Sequence, residues 1–324
     1  MRELSGDERA AVDVLLAAGS VVVCAHVSPD GDAVGSVIGA VHALRRRGID
    51  AVPTLAEDRT GPATYAFLPG FDEYRPAASL EAPDVFLALD APTFERLGAA
   101  EPLARAARTV VVIDHHPDNA RFGGVNVVDA AAPSTGSILW RLLPALGVTP
   151  DEEIAANLYT ALMTDTGRFS YSNTTAEALR VAAAMIEAGA DPAELYRKVY
   201  ESRSAASLAL LGRTLSRITL ANRNRIVYSW VTGQDLSETG ALPEETENLV
   251  DAVRQTARVD AVAFFKVGAD GVKVSLRAKC PGLDVGAVAR TFGGGGHTAA
   301  AGATIAAPLE EAVARVLALL PGSE

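Results

Sequence analysis

Ser20-Val-Val-Val-Cys-Ala25-His26-Val-Ser-Pro-Asp30-Gly-Asp32-Ala-Val-Gly-Ser36 is the stretch on which the fold turns. Ser20–Ala25 reads as a buried strand, because its apolar run is unbroken rather than alternating, the pattern of a strand covered on both faces. Ala33–Arg47 then reads as a helix. Val34, Val37, Ile38, Val41 and Leu44 share one face of it, and Gly48 is its stop signal. In α/β proteins the loop that follows a strand and opens a helix is where sites are placed. His26, Asp30 and Asp32 crowd that loop. Asp32 by itself would be a helix cap, and a lone histidine is most simply structural. His-x3-Asp-x-Asp on one loop points instead to metal binding or catalysis.

The same grammar extends in both directions. Further strands are expected at Ala51–Leu55, Val85–Leu89, Thr109–Ile113 and Val125–Val128. Helices are expected at Ser137–Leu146, Glu152–Met163 and Thr175–Ala188. Alternation of Val/Ile/Leu-rich strands with helices predicts an α/β fold, a doubly wound parallel sheet. The stretch from Asp191 to about Leu220 reads as helical and connecting. Beyond it the texture changes to a smaller α+β domain with a mixed sheet. Its strands are expected at Arg225–Val231, Ala261–Val267, Val272–Ala278 and Ala299–Ala306, with helices at Glu244–Thr256, Val285–Thr291 and Leu309–Leu320. Gly268-Ala-Asp-Gly271 reads as a hairpin turn.

Composition agrees with two domains and narrows the function. The 324 residues are 49% hydrophobic and 21% charged, so the chain is globular rather than disordered. No apolar run approaches the ~18 residues of a membrane span. The first residues lack the apolar core of a signal peptide, and two distant cysteines make no disulfide framework, so a cytoplasmic protein is expected. The net charge of −11 argues against tight binding to long nucleic acid. That charge is uneven: residues 1–195 hold 27 acids and 14 bases, and residues 196–324 hold 13 acids and 15 bases.

Several apolar segments deliver a carboxylate or an imidazole at their ends. Val85–Leu89 ends in Asp90. Thr109–Ile113 ends in Asp114-His115-His116. The helix from Glu152 ends in Thr164-Asp165-Thr166-Gly167. In a parallel sheet the carboxyl ends of the strands line one edge, so these groups converge with His26, Asp30 and Asp32. So many carboxylates repel or protonate unless cations join them. Oxygen and imidazole donors without thiolate suit Mn²⁺, Mg²⁺, Zn²⁺ or Fe²⁺. The supply is enough for two metals, the arrangement that clamps an in-line displacement at phosphorus. Downstream, Gly293-Gly-Gly-Gly-His297 offers backbone N–H groups to an anion. Ser275, Arg277 and Lys279 alternate on one strand face.

His26-x3-Asp30-Gly-Asp32, Asp90, Asp114-His115-His116 and Thr164-Asp165-Thr-Gly167 resemble, in order, the four motifs of the DHH phosphoesterase superfamily. Gly293-Gly-Gly-Gly-His297-x4-Gly302 resembles the signature of the DHH-associated C-terminal domain. The resemblance spans nearly the whole chain. It implies a DHH catalytic domain over 1–195, a helical linker over 196–220 and a substrate-binding domain over 221–324. It implies two divalent ions, most often Mn²⁺, one held by His26, Asp30 and Asp90 and the other by Asp32, Asp90, His115 and Asp165. His116 would face the phosphate, and Asp114 would orient a ligand histidine. Arg168, Arg277, Gly294, Gly295, Gly296 and His297 would contact substrate. The glycine-histidine element and the low lysine count favour the nucleotide-handling branch that cleaves very short RNA and adenosine 3′,5′-bisphosphate. Cyclic di-AMP and its linear dinucleotide are the runner-up substrates. A homodimer is implied by resemblance alone. A nucleotide-binding regulator without catalysis would be expected to lack a ligand, and none is missing.

Overall fold

The computed structural model describes residues 3–57, 61–246, 249–268, 271–296 and 298–322. The chain forms two units, Met1–Ser202 and Arg203–Glu324. The first runs α1 (Gly6–Ala17), β1 (Ser20–Cys24), α2 (Gly31–Arg46), β2 (Asp50–Pro53), β3 (Val85–Leu89), α3 (Glu101–Ala106), β4 (Thr109–Asp114), β5 (Val125–Val128), α4 (Thr135–Leu142), α5 (Glu152–Asp165), α6 (Ala176–Glu187) and α7 (Pro192–Tyr200). Its five strands form one sheet in the order β2-β1-β3-β4-β5, with every pairing parallel.

Each strand sends successive side chains to opposite faces. Val21, Val23, Leu87 and Ile113 enter the larger core, beneath α1, α2, α4, α5 and α6. Val22, Cys24, Phe86 and Val112 enter a smaller core covered by α3 and the short turns before it, through Leu97, Ala100, Leu103 and Ala104. The unbroken apolar runs follow from this two-sided cover. The cover is unequal, with long helices on one face and short turns on the other.

The strand order places the site. From β1 the chain crosses to β2 on one side, then returns to β3 on the other. At such a switch point the connections leaving β1 and β3 diverge and open a crevice at their carboxyl ends. Helix α2 starts over that crevice and is buried from Gly31 through Val41. It packs against α5 through glycines at four-residue spacing. A methyl added at Gly35 would lie 2.4 Å from the Asn157 carbonyl oxygen, and one at Gly39 would lie 2.7 Å from Leu158. Residues four apart stack on one helix face, so the two backbones approach closely along α2.

The second unit runs α8 (Ala205–Ser216), β6 (Thr219–Ala221), β7 (Ile226–Val231), α9 (Gly233–Thr239), α10 (Leu249–Arg254), β8 (Ala261–Gly268), β9 (Gly271–Ala278), α11 (Val285–Arg290), β10 (Gly295–Gly296), β11 (Ala300–Ile305) and α12 (Leu309–Leu317). Its sheet has the order β10-β11-β9-β8-β7-β6 and is mixed, with β7 and β8 parallel and the other pairs antiparallel. Helices α11 and α12 cover one face and α8 and α10 the other. The stretch 196–220 read as a linker is shared between the units. Its start lies in α7, and Leu210 of α8 is fully buried among Val227, Val253 and Phe264. The helix expected over 244–256 is split into a 3-10 turn at Pro243–Thr246 and α10. The centre of the expected hairpin, 269–270, lies outside the described residues.

Candidate metal centre and active site

Four chain segments supply the site. His26 follows β1, and Asp30 and Asp32 open α2. Asp90 follows β3, Asp114 closes β4 with His115 and His116 after it, and Asp165 ends α5. Asp30, not Asp32, is the N-cap of α2, and its Oδ1 accepts from the Asp32 and Ala33 amides at 3.0 and 3.1 Å. Asp32 is thereby released to point inward, where it is 1% exposed. Asp90 holds a left-handed backbone with φ of 53°, a conformation costing a non-glycine residue on the order of 1 kcal/mol or more. Its amide still donates to Ile113 at 3.1 Å, so the ladder continues while the carboxylate swings over the strand ends.

Among the described residues the donors form three overlapping groups. His26, Asp30 and Asp90 make one, Asp32, His115 and Asp165 another, and Asp90, Asp114, His115 and His116 the third. His115 Nε2 lies 3.5 Å from Asp90 Oδ1, 3.6 Å from Asp165 and 3.8 Å from Asp32. His26 Nε2 lies 3.4 Å from Asp90 Oδ2. These spacings are long for hydrogen bonds. They match donors sharing a cation, since two atoms about 2.1 Å from one metal stand about 3.4 Å apart at a tetrahedral angle. The Val27 carbonyl, 2.8 Å from His26 Nδ1, can only accept. The Arg96 guanidinium also reaches Nδ1, at 3.1 Å, and Nε2 is the ring nitrogen that faces the cluster.

The electrostatics say what the cluster lacks. Burial, together with the charges of Asp90, Asp165 and Asp30, pushes the Asp32 carboxyl well above the usual carboxylate range. Burial pushes Asp165 up to about 6, with His115 opposing and Asp30 and Asp90 adding to the rise. Asp90 is held low: burial opposes this, but the imidazoles around it, His26 foremost with His115 and His116, outweigh it. Like charges this close and this dry are stabilised by divalent cations. The donor set therefore fits a hard metal ion.

Asp32 has an anchor that the sequence did not signal. Its Oδ2 accepts from the Thr135 amide at 2.7 Å, and its Oδ1 from the Gly136 amide and the Ser36 hydroxyl, both at 3.0 Å. The Thr135 hydroxyl donates to Asp90 Oδ1 at 3.1 Å. The first turn of α4 thus aims two carboxylates. The cue was the Ser134 N-cap, whose hydroxyl accepts from Ser137, but a cap signals only a helix start.

Asp114 differs from expectation. Its Oδ1 accepts from His116 Nδ1 at 2.8 Å and from the amides of His115 and His116, and its Oδ2 accepts from Asn119 at 2.6 Å. It orients His116, not the ligand candidate His115. The hydrogen bond to Asp114 is the main cause that lifts His116 to about 9. Asp114 thus favours the protonated form of that imidazole.

The remaining expected substrate residues belong to both units. Arg168 is exposed just past Asp165, its guanidinium 5.0 Å over the Tyr200 ring. Arg277 on β9 is half-buried and donates to Leu276 O at 3.0 Å, and no carboxylate among the described residues pairs with it. Lys279, expected on the same face, lies beyond the end of β9. It donates instead to the carbonyls of Arg254 and Thr256 at the end of α10. Gly294 and Gly296 press on β11, where an added methyl would meet Gly302 O at 2.2 Å and Ala301 at 2.5 Å. Gly295 is exposed and faces open space. His297 lies outside the described residues. No described helix is long and apolar enough to cross a membrane.

Residues 20–164 match the profile of the DHH family, N-terminal domain, and residues 223–321 match the DHHA1 domain. The chain is 34% identical over 301 residues to the bifunctional oligoribonuclease and PAP phosphatase NrnA of Thermus thermophilus, covering 92% of this chain and 88% of that protein. An exopolyphosphatase-related protein from Bacteroides fragilis superposes with a TM-score of 0.87 at 25% identity, over 95% of this chain and 96% of that one. Exonuclease RecJ bound to manganese shares the fold, with a TM-score of 0.58 at 20% identity over 99% and 97% of the two chains.

Proposed function

This chain belongs to the DHH family of phosphoesterases, and from that premise we propose that it hydrolyses very short oligoribonucleotides to mononucleotides and removes the 3′-phosphate of adenosine 3′,5′-bisphosphate. The observation that carries this reading is the set of overlapping donor groups around Asp90 and His115, in a chain so similar to a bifunctional oligoribonuclease and PAP phosphatase. We assign one divalent ion to His26, Asp30 and Asp90, and a second to Asp32, Asp90, His115 and Asp165, with manganese as the metal. When bound, the pair supplies Lewis acidity at the phosphoryl oxygens and lowers the pKa of attacking water.

The chain's own residues do the rest. Thr135 and Gly136 hold Asp32 rigid, so the second ligand set is formed before substrate arrives. His116, its protonated form favoured by Asp114, donates through Nε2 to a non-bridging phosphate oxygen and steadies charge gained in the transition state. Arg168, Arg277, Gly294–Gly296 and His297 contact the substrate phosphates and ends. The overall charge of −11 disfavours a long backbone and leaves short ones. The proposal includes a cytoplasmic location, from the cysteine usage of the sequence, and a homodimer, which rests on family resemblance alone.

A hydrolysis panel with Mn²⁺ tests the reading, using di- to pentaribonucleotides, adenosine 3′,5′-bisphosphate, cyclic di-AMP and pyrophosphate. Turnover of the short RNAs and the bisphosphate is expected, and Asp165→Ala abolishes it while leaving the circular dichroism spectrum unchanged. Turnover of pyrophosphate alone, or an active Asp165→Ala protein, overturns it.

A further inference from the structure

Just past Asp165 the backbone does something unusual. Gly167, Arg168 and Phe169 are all left-handed, with φ of 54°, 62° and 60°. Two consecutive non-glycine residues in that region are rare and are retained where the surroundings over-determine them. Here Thr166 does so. It is fully buried, its hydroxyl accepts from the Phe169 amide at 3.2 Å, and its carbonyl accepts from the Ser170 and Tyr171 amides at 3.0 Å. Phe169 packs into the large core beside Tyr159, at 6.0 Å between ring centroids. The turn is therefore fixed, with Phe169 inward and its neighbours Arg168 and Tyr171 outward.

What it displays is aromatic and cationic. Tyr171 is 60% exposed, although its other side is used: a methyl on Gly167 would fall 2.4 Å from the ring. Arg168 lies 5.0 Å over Tyr200, which packs at 5.2 Å on Tyr196. Burial raises the Tyr200 phenol to about 12 against the charge of Arg168. A single exposed tyrosine is ordinary on a protein surface. A rigid turn that begins two residues after Asp165 and spends backbone strain to turn a bare ring and a guanidinium outward is not.

We propose that Tyr171, with the Arg168–Tyr200 pair, is a stacking platform for a nucleobase of the substrate at the metal centre, which rests on the oligoribonuclease reading above. Stacking on ring and guanidinium faces reads no base edge, since every base has such a face. The platform therefore confers a preference for nucleotides over plain phosphoesters without a preference among bases. Tyr171 acts on the base, not on the reacting phosphorus.

The test uses the full chain with Mn²⁺ and compares wild type, Tyr171→Ala and Tyr171→Phe. The substrates are a ribodinucleotide and its two versions abasic at one position. Tyr171→Ala is expected to lose about 5- to 150-fold in kcat/KM on the dinucleotide, the range of one base–aromatic stack of ~1–3 kcal/mol. It should match wild type on one of the abasic substrates, and Tyr171→Phe should restore the dinucleotide rate. The Mn²⁺ concentration for half-maximal rate should be the same in all three. If Tyr171→Ala cleaves the dinucleotide as wild type does, or loses equally on all substrates, the platform is refuted. If wild type cleaves none of them, the oligoribonuclease reading itself fails.

Discussion

The spacing of the two ligand sets depends on how closely α2 approaches α5, and Gly35→Ala probes that approach directly. Gly35 lies three residues past Asp32, and Ala161 lies four before Asp165. The added methyl would sit 2.4 Å from the Asn157 carbonyl oxygen, 3.1 Å from the Ala161 amide nitrogen and 3.2 Å from the Ala161 side chain. Close C···O contacts settle at about 3.3–3.6 Å, so the helices must part by roughly 1 Å. The nearest atom is backbone and cannot rotate away. Overpacking of this kind costs about 1–3 kcal/mol. At about 2–4 °C per kcal/mol for a unit of this size, Tm falls by roughly 2–12 °C. A misplacement near 1 Å at reacting groups costs on the order of 100-fold in rate, so Mn²⁺-dependent hydrolysis of a dinucleotide should drop by that order. Gly212→Ala is the control. It lies on α8, where an added methyl meets nothing within 4 Å, so Tm should hold or rise and turnover should not change. Calorimetry and steady-state kinetics on the three proteins decide it. A Gly35→Ala protein with wild-type Tm and wild-type turnover would refute the claim that this helix contact sets the site.

Two further predictions concern protons. Asp235, buried in the second unit, accepts from Arg217 at 2.7 Å, the Thr232 amide at 2.9 Å and Arg213 at 3.2 Å, and Arg217 foremost holds its carboxyl well below the usual range. A depressed carboxylate stabilises above the unfolded value of about 3.9 and loses that contribution as pH falls toward the lower folded value. Asp235→Asn should therefore cost about 2 kcal/mol in urea unfolding at pH 7, less than a fully buried pair because both arginines reach solvent. The gap to wild type should narrow below about pH 4; a gap that widens in acid contradicts the sign. The second concerns His116, lifted to about 9 chiefly by its hydrogen bond to Asp114. A raised imidazole stabilises below its unfolded value of about 6.5 and loses that as pH climbs through about 9. In Asp114→Asn the His116 titration, followed by NMR on metal-free protein, should move down toward about 6.5; no movement would assign the shift to something other than Asp114.

How much of this was legible in the sequence follows from which groups carry the information. Val85–Leu89 and Val125–Val128 coincide with the expected strands, since two-sided burial writes itself as unbroken apolar runs. The convergence of Asp90 and His115 was readable because parallel strands deliver their ends to one edge, whereas Asp165 arrives from the end of a helix. The hold of Thr135 and Gly136 on Asp32 was not readable. It runs through backbone amides more than 100 residues away, and every residue type but proline has that donor. The choice of Asp114 for His116 over His115 is a matter of rotamer, invisible in Asp-His-His. Helix α1 is harder to read because Glu8 sits on its buried face with only Ala11, Val12 and Leu15, although the Ser5–Glu8 capping box marks its start. Lys279 shared its alternation with Arg277 only on paper, since β9 ends before it.

The central claim is that two divalent ions share Asp90. Crystals grown with Mn²⁺ and measured at the manganese absorption edge test it most directly. The account predicts two anomalous peaks per chain, one among His26, Asp30 and Asp90, and one among Asp32, Asp90, His115 and Asp165. A single peak, or peaks that do not meet at Asp90, would contradict it.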